Sequence, residues 1–445
     1  MVKIYPFREI RYNPKKIDSL ARVICPPYDV ISPEEQKFYY TLHPANIIRL
    51  ELPQGESRKK YLRAKETYLS WLNKQILVTE SQPAFYIYQQ DFLYQNKKSS
   101  RVGFFAALKL EPWGKNIFPH EKTFPKPKFD RLELLRNLKA NISPIFVLFS
   151  DRRRKVSSFL SRFCREEKPF IEFKDLEGMK HQIWRVTKEK EILYLQKNFL
   201  NKKLYIADGH HRYETALAYS KEQRAESRER RAESEERPSA NCILTFLCSL
   251  EEEGLLMLPT YRVITGRWRV PTRRSRGVGG GGRKWEEWKK EKEKYFSFTP
   301  LKDKKELFPR LKKNLALYSQ RKFYLLQLKK EGKEVLKKLL PQSSQAYRHL
   351  PLTALDQLIL EATKKEDLIF TQDFEEAVKL VDEGTGKIAF FFSSPKAEIL
   401  KIVAKTGEIM PEKSTYFYPK IPTGLVIYSL RGRRLPQMKI PDYRG

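Results

Sequence analysis

The chain has 445 residues, with 87 Lys+Arg against 54 Asp+Glu for a formal charge of +33. That length accommodates two or three domains, each with its own core. A hydrophobic share of 40% and an aromatic share of 13% are ordinary for a globular protein. The longest apolar runs, such as Ile145–Phe149 and Ile388–Phe392, are far too short to span a bilayer, so no membrane segment is expected. Four cysteines (Cys25, Cys164, Cys242 and Cys248) form no CxxC pair, and the start at Met1-Val2-Lys3-Ile4 has no secretory character. Reduced thiols and a cytoplasmic location are the expectation. The excess of Lys and Arg admits nucleic acid as a secondary partner, since such residues release counterions from phosphates. Spread over the whole chain, it reads mainly as surface composition, which also fits a heat-adapted organism.

In chain order, Ile10-Arg11-Tyr12-Asn13-Pro14 reads as a strand and turn. Cys25-Pro26-Pro27-Tyr28-Asp29-Val30-Ile31-Ser32 follows, its two prolines holding the backbone extended. Asp29 is a carboxylate on a stiff loop, suited to a base or a metal ligand; a turn-capping Asp is the alternative. Ser32, Pro33 and Glu35 supply an N-cap, a first helical residue and a capping box. Tyr61–Leu77 carries apolar residues at helical spacing. Strands are predicted over Ala84–Gln90 and Val102–Leu110, joined by the polar hairpin Gln95–Ser100. Phe118–Asp130 has no periodicity and reads as a long loop. It is rich in ionisable groups, with His120 and Glu121 as an acid/base candidate pair. A helix over Asp130–Asn141, a buried strand over Pro144–Phe149 and a helix over Val156–Phe163 precede the pattern Ile192–Leu204.

The run Leu204-Tyr205-Ile206-Ala207-Asp208-Gly209-His210-His211-Arg212-Tyr213-Glu214-Thr215-Ala216-Leu217 reads as strand, tight turn and helix. The turn places Asp208, His210, His211 and Arg212 at a helix N-terminus, where free N–H groups and the helix dipole favour anions. Gly209 admits close approach of a ligand to the backbone, and Arg212 is suited to a bidentate fork on phosphate. The imidazoles of His210 and His211 add donors whose charge changes near neutral pH. Asp208 suits a magnesium ligand or a base near a hydroxyl, and together these residues point to phosphoryl chemistry. An N-cap role for Asp208 and surface positions for the histidines are the alternative. Zinc does not fit, because adjacent histidines chelate one ion poorly and no CxxC or HExxH partner exists.

Beyond Tyr219 the near-duplicate Arg224–Arg230 and Arg231–Arg237 segments lack apolar heptad positions, so 222–240 reads as a low-complexity insertion. Strands over Asn241–Leu250 and Leu255–Ile264 are expected to pair through the hairpin Glu251-Glu252-Glu253-Gly254. The Gly/Arg-rich stretch 266–284 reads as a linker. It lacks the Gly-Lys-Ser/Thr ending and the preceding strand of a phosphate loop. Helices are predicted over Trp285–Tyr295, Lys304–Ala316, Leu355–Ala362 after an N-cap Thr353, Phe374–Asp382 and Pro395–Thr406. Strands over Lys322–Leu328, Ile388–Phe392 and Gly424–Leu430 complete an α/β pattern. Lys413, Ser414, Thr415 and Lys420 offer ammonium and hydroxyl groups for phosphate or a substrate carboxylate.

Five ordered blocks resemble a widespread bacterial and archaeal family with an ADGHHRYETA signature, related to free serine kinases of the ParB/sulfiredoxin-like superfamily. They are PPYDVIS around Asp29, His120-Glu121-Lys122-Thr123 with Asp130-Arg131, and the run Ala207–Leu217. Leu258-Pro259-Thr260-Tyr261-Arg262 follows, with Tyr261 where the family usually has His. The last is Met410-Pro411-Glu412-Lys413-Ser414-Thr415-Tyr416-Phe417-Tyr418-Pro419-Lys420. The resemblance implies a mixed α/β (α+β) fold. Residues 1–265 would form a ParB/sulfiredoxin-like nucleotide-binding core, with an additional α/β region over 285–445. It further implies a kinase that transfers phosphate from ATP or ADP, with Mg2+ on Asp208, to the hydroxyl of free L-serine or a similar compound. Asp208, Glu121, Asp29 and His120 would be catalytic; Gly209, His210, His211, Arg212, Lys413, Ser414 and Thr415 would hold the nucleotide. The rival readings are a ParB-like, nucleotide-gated nucleic-acid binder without turnover, or a sensor of a nucleotide or amino acid. Sequence leaves the oligomeric state open.

Overall fold

The computed structural model describes residues 1–56, 58–121, 123, 125–229, 238–265, 285–394, 399–411 and 413–431. The fold is mixed α/β. It comprises two compact units: one takes in Met1–Pro119, Thr123–Leu256 and the chain from Pro419 onward, the other His120–Lys122 and Met257–Tyr418. The stretch 266–284 read as a linker lies outside the described residues, as does 230–237 of the low-complexity segment. The helix His210–Glu229 carries that segment's beginning.

The first unit is built on a nine-stranded sheet among the described residues. From one edge its strands are Ile117–Phe118, Leu204–Asp208, Ile145–Phe149, Cys242–Ser249, Lys97–Lys109, Phe85–Tyr94, Lys180–Val186 and Ile171–Lys174, with Ile4–Tyr5 also paired to Lys97–Lys109. Period-two alternation puts Phe85, Ile87, Phe104, Ala106, Ile145, Val147, Leu204 and Ile206 into one buried cluster. The helices Lys155–Glu166 and Glu189–Phe199 cover that face with Val156, Leu160, Ile192 and Leu195 at helical spacing. A second cluster gathers Tyr61, Ala64, Tyr68 and Trp71 of the helix Lys59–Asn73 with Leu134, Leu138 and Ile427. The capping box is present as read: Ser32 accepts from the Glu35 amide at 3.1 Å, and Glu35 accepts from the Ser32 amide at 2.7 Å.

Several expectations are corrected. The strands Phe85–Tyr94 and Lys97–Lys109 run further than read and turn at Gln95 and Asn96. Both residues have positive φ (48° and 62°), the geometry of a tight hairpin turn. The helix Pro125–Leu138 takes up the second half of the expected loop Phe118–Asp130, because prolines are tolerated in a helix's first turn. The hairpin expected over Asn241–Ile264 does not form. Cys242–Ser249 pairs instead with Lys97–Lys109 and, in parallel, with Ile145–Phe149. Pro259, which has no N–H to donate, separates Leu256–Leu258 from Tyr261–Ile264. The strands Ile171–Lys174 and Lys180–Val186, paired antiparallel at the far end of the sheet, have no counterpart among the sequence expectations.

The second unit carries a six-stranded sheet among the described residues. Its order is Phe296–Leu301, Lys322–Leu328, Leu315–Ser319, Ile388–Phe391, Tyr261–Ile264 and Leu368–Thr371. Ile264, Leu317, Leu326, Ile388 and Phe390 face one cluster, and Val263, Ala316, Leu325, Ala389 and Phe391 the other. The helix expected over Lys304–Ala316 ends at Leu307. A 3-10 turn follows, and then the strand Leu315–Ser319, whose Leu-Ala-Leu-Tyr-Ser run is buried throughout. Thr353 lies inside the helix Pro351–Leu358 rather than at its cap, because Pro351 supplies the start. Among the described residues no helix is long and apolar enough to cross a membrane.

Candidate functional site

In the first unit the strand Leu204–Asp208 runs antiparallel to Ile145–Phe149, with its register interrupted between Ile206 and Asp208. An irregularity of this kind re-aims the side chains that follow it. Gly209 then has φ +91°, and a Cβ there would lie 2.8 Å from Ile145 Cγ2 and 3.1 Å from Arg212 Nε. The position therefore requires glycine on both backbone and steric grounds. The helix His210–Glu229 begins at once, and Tyr213 donates its amide to the Gly209 carbonyl at 2.9 Å. Tyr213 is fully buried and anchors this first turn by donating its hydroxyl to the Glu111 carbonyl at 2.7 Å.

Asp208 is held between two cations. Lys420 Nζ meets Oδ1 at 2.6 Å and Arg212 Nη2 meets Oδ2 at 2.5 Å. Burial alone would raise this carboxyl, but Lys420, Arg212 and His210 together outweigh it and hold it well below the usual carboxylate range. A carboxylate so paired is a weaker general base than a free one. Arg212 is turned inward as well. Its Nη1 donates to Ser143 Oγ at 2.6 Å and to the Pro144 carbonyl, so it braces the turn against the entry of the strand Ile145–Phe149. The phosphate fork expected of Arg212 is thus spent on protein partners, apart from the buried Nε, which has no hydrogen-bond partner. His210 is buried and His211 half-buried.

Three further segments of the first unit reach this turn. Ser143 Oγ, which takes the Arg212 hydrogen bond, also accepts from Thr423 Oγ1 at 3.1 Å. Thr423 exchanges backbone hydrogen bonds with Cys25, at the head of the Pro-Pro-Tyr-Asp segment. Asp29 in that segment is exposed and acts electrostatically on Arg212. Buried Glu51 accepts from the Tyr28 amide at 3.2 Å and lies 3.6 Å from Arg131, whose guanidinium stacks over the Tyr28 ring. Asp130 ties Arg131, Lys60 and Tyr61 together. The Lys420 backbone is fixed in turn: Arg101 donates to the Pro419 carbonyl at 2.5 Å, and Gln90 to the Lys420 carbonyl at 3.2 Å. The structure therefore assembles Asp29, Asp208, Gly209, His210, His211 and Arg212 with Lys420. Sequence reasoning did not single out Arg101, Glu51 or Ser143. A lone Arg opening the run Val102–Leu110 was the available sign for Arg101.

The remaining candidates cluster in the second unit. His120 Nε2 is 2.8 Å from Thr415 Oγ1 and 3.7 Å from a Glu121 carboxylate oxygen. Glu121 bridges to Met410, and Ser414 donates its hydroxyl to the Pro411 carbonyl. Lys413, at φ 50°, lays its ammonium 4.8 Å over the Phe370 ring, and Arg262 Nη2 donates to the Lys413 carbonyl at 3.2 Å. Tyr261, which stands where the resembled family has His, packs in the core with its ring 5.0 Å from Phe391.

For magnesium, Asp208 is a poor ligand, because each of its oxygens already faces a cation. Among the described residues no group of three or more His, Cys, Asp and Glu side chains is placed to hold a metal ion. The side chains at this turn do not fit a metal site built on Asp208.

A family model described as "Protein of unknown function (DUF1015)" matches residues 4–357, and the chain belongs to that family. No curated protein matches the chain. Among solved structures, a mutant free serine kinase in complex with AMP is similar at 14% identity and a TM-score of 0.34, over 71% of this chain and 87% of that one. A conserved hypothetical protein from Pyrococcus furiosus is similar at 15% identity and a TM-score of 0.33, over 72% and 93% respectively. C-terminally truncated SbnI from Staphylococcus aureus reaches 9% identity and a TM-score of 0.34, over 72% and 85%.

Proposed function

We propose that this chain is a nucleotide-dependent phosphotransferase acting on the hydroxyl of a small molecule, with free L-serine the first acceptor to test. In this reading the first unit is a ParB/sulfiredoxin-like core, and the donor is ATP or ADP. One observation carries it. Lys420 is brought from far along the chain to the N-terminus of the helix His210–Glu229, beside the positive-φ glycine that precedes it. Backbone N–H groups and an ammonium at one helix start favour phosphate oxygens.

Asp208 then orients Lys420 and Arg212 rather than taking the proton. The terminal phosphate sits on the amides that open the helix, with Lys420 able to shift from Asp208 to a phosphate oxygen. The acceptor oxygen bonds to phosphorus, the bond from phosphorus to the nucleotide oxygen breaks, and the hydroxyl proton passes to Asp29. No step passes through a metal. Phosphoryl transfer depends chiefly on positioning and charge stabilisation, which such a turn supplies. His120, Glu121, Lys413, Ser414 and Thr415 are proposed as a second acid/base and anion-gripping group on the other unit.

The test is incubation of the purified chain with labelled ATP or ADP, magnesium and a panel of hydroxy amino acids. Phosphoserine formed by the wild type and lost in Lys420→Met supports the proposal. No transfer to any acceptor, together with tight and steeply salt-dependent DNA binding, supports the nucleic-acid reading suggested by the net charge of +33.

A further inference from the structure

Beside the turn, a pocket of about 50 Å3 lies between the helix Pro125–Leu138, the segment 140–143 and the first turns of the helix His210–Glu229. Its chemistry is divided. Leu134, Leu138 and Ile243 contribute hydrocarbon, while Glu51, Arg131 and Arg212 contribute charge. Glu51 is almost completely buried and receives one hydrogen bond, from the Tyr28 amide. Its other oxygen stands 3.6 Å from Arg131, an ion-pair contact longer than a hydrogen bond. A buried carboxylate has acceptor capacity for several donors, and this one uses little of it. Burial pushes the Glu51 carboxyl up, against the pull of Arg131 and Arg212.

These features select a ligand class. Arg131 and Arg212 are already matched by Asp130, Glu51 and Asp208, so an added cation or anion would find no counter-charge of its own beside the hydrocarbon wall, and both are disfavoured. A neutral hydroxyl donor satisfies Glu51 without adding charge. At roughly 10–15 Å3 for each water-sized site, the space suits a ligand of about three to five heavy atoms. We propose that this pocket binds a short aliphatic hydroxy compound, its hydroxyl toward Glu51 and its carbon arm among Leu134, Leu138 and Ile243. Because Arg212 lines the pocket and also braces the turn, such a compound lies next to the proposed phosphate site. Its role as phosphoryl acceptor rests on the phosphotransferase reading; its binding does not. The preferred acceptor then carries a hydrocarbon arm that serine lacks.

Saturation-transfer NMR on the full chain tests this, with 2-methyl-1-propanol and L-serine as probes and ADP titrated separately into the same samples. The alcohol is expected to bind the wild type, to lose its signal in Ala140→Leu, which fills the pocket, and to bind at least fivefold more weakly in Glu51→Gln. ADP affinity is expected to be unchanged in Ala140→Leu. Should that variant fail to fold, Glu51→Gln, which keeps the shape, decides alone. No alcohol signal in the wild type, or equal binding by both variants, overturns the proposal and leaves a pocket that holds only water. Alcohol binding without ADP binding leaves the pocket standing and removes the phosphotransferase reading.

Discussion

Lys420 and Asp208 lie 212 positions apart in the chain, yet their side chains meet at 2.6 Å. The contact depends on Arg101 and Gln90, which grip the Pro419 and Lys420 carbonyls and hold the returning segment in place. Lys420→Met is expected to weaken nucleotide binding by about 10- to 100-fold, as the loss of one charge-assisted hydrogen bond to phosphate. Melting temperature should fall little, because Asp208 keeps Arg212 as a partner. Calorimetric titration with ADP and thermal unfolding measure the two effects.

Asp208→Ala is expected to behave differently. It removes the counter-charge of two half-buried cations at once, so a stability loss of about 3 kcal/mol is expected alongside the loss of binding. The pH dependence has a definite sign. Asp208 is held below its ordinary value of 3.8, so its contribution is complete above that value and is lost as pH falls below it. Asp208→Asn should therefore be less stable than the wild type at neutral pH but lose less on acidification, as denaturant midpoints across pH would record.

Glu9 gives the opposite sign. Its carboxylate is completely buried, neither oxygen has a hydrogen-bond partner, and Arg11 stands 3.9 Å away. Burial, only partly offset by Arg11, pushes the group from 4.5 up to about 8. The folded state thus holds this proton more tightly than the unfolded chain. The associated stability is full below 4.5 and is lost as pH rises to about 8, by at most about 1.4 kcal/mol per pH unit. Glu9→Gln should flatten that decline, measured as urea midpoints between pH 4.5 and about pH 8. An unchanged slope would show that Glu9 is already ionised in the folded protein.

Gly209→Ala combines a positive φ with a Cβ 2.8 Å from Ile145 Cγ2. A cost of about 2 kcal/mol is expected, with nucleotide binding reduced because the turn must open to relieve the clash. Chemical denaturation and ADP titration on the same preparation test both parts.

Tyr261→His restores the residue usual in the resembled family. Here Tyr261 fills the second unit's core against Phe374 and Phe391. A loss of about 2–4 kcal/mol is expected from the cavity and the buried imidazole, without change in ADP affinity at the first unit.

What the sequence made legible follows physical range. The strand, turn and helix over Leu204–Leu217 could be read locally, because apolar spacing and Gly209 act within a few residues. So could the Ser32–Glu35 capping box. The pairing of Arg212 could not be read, since its partners Ser143 and Pro144 are distant in the chain and the same side chain would equally suit a free phosphate. The hairpin expected after Leu250 failed because strand partners are chosen across the whole sheet, where Lys97–Lys109 and Ile145–Phe149 bury Cys242–Ser249 more completely. Ile171–Lys174 escaped notice because it is a short edge strand of alternating, half-exposed residues.

The most direct measurement is the backbone amide spectrum of the chain during titration with ADP, recorded by TROSY NMR with Gly209, His210, His211 and Arg212 assigned. If nucleotide phosphate rests on the helix start, these amides shift first and furthest, and in Lys420→Met the same shifts need about 10- to 100-fold more ADP. Saturable ADP binding that leaves all four amides unmoved would contradict the account.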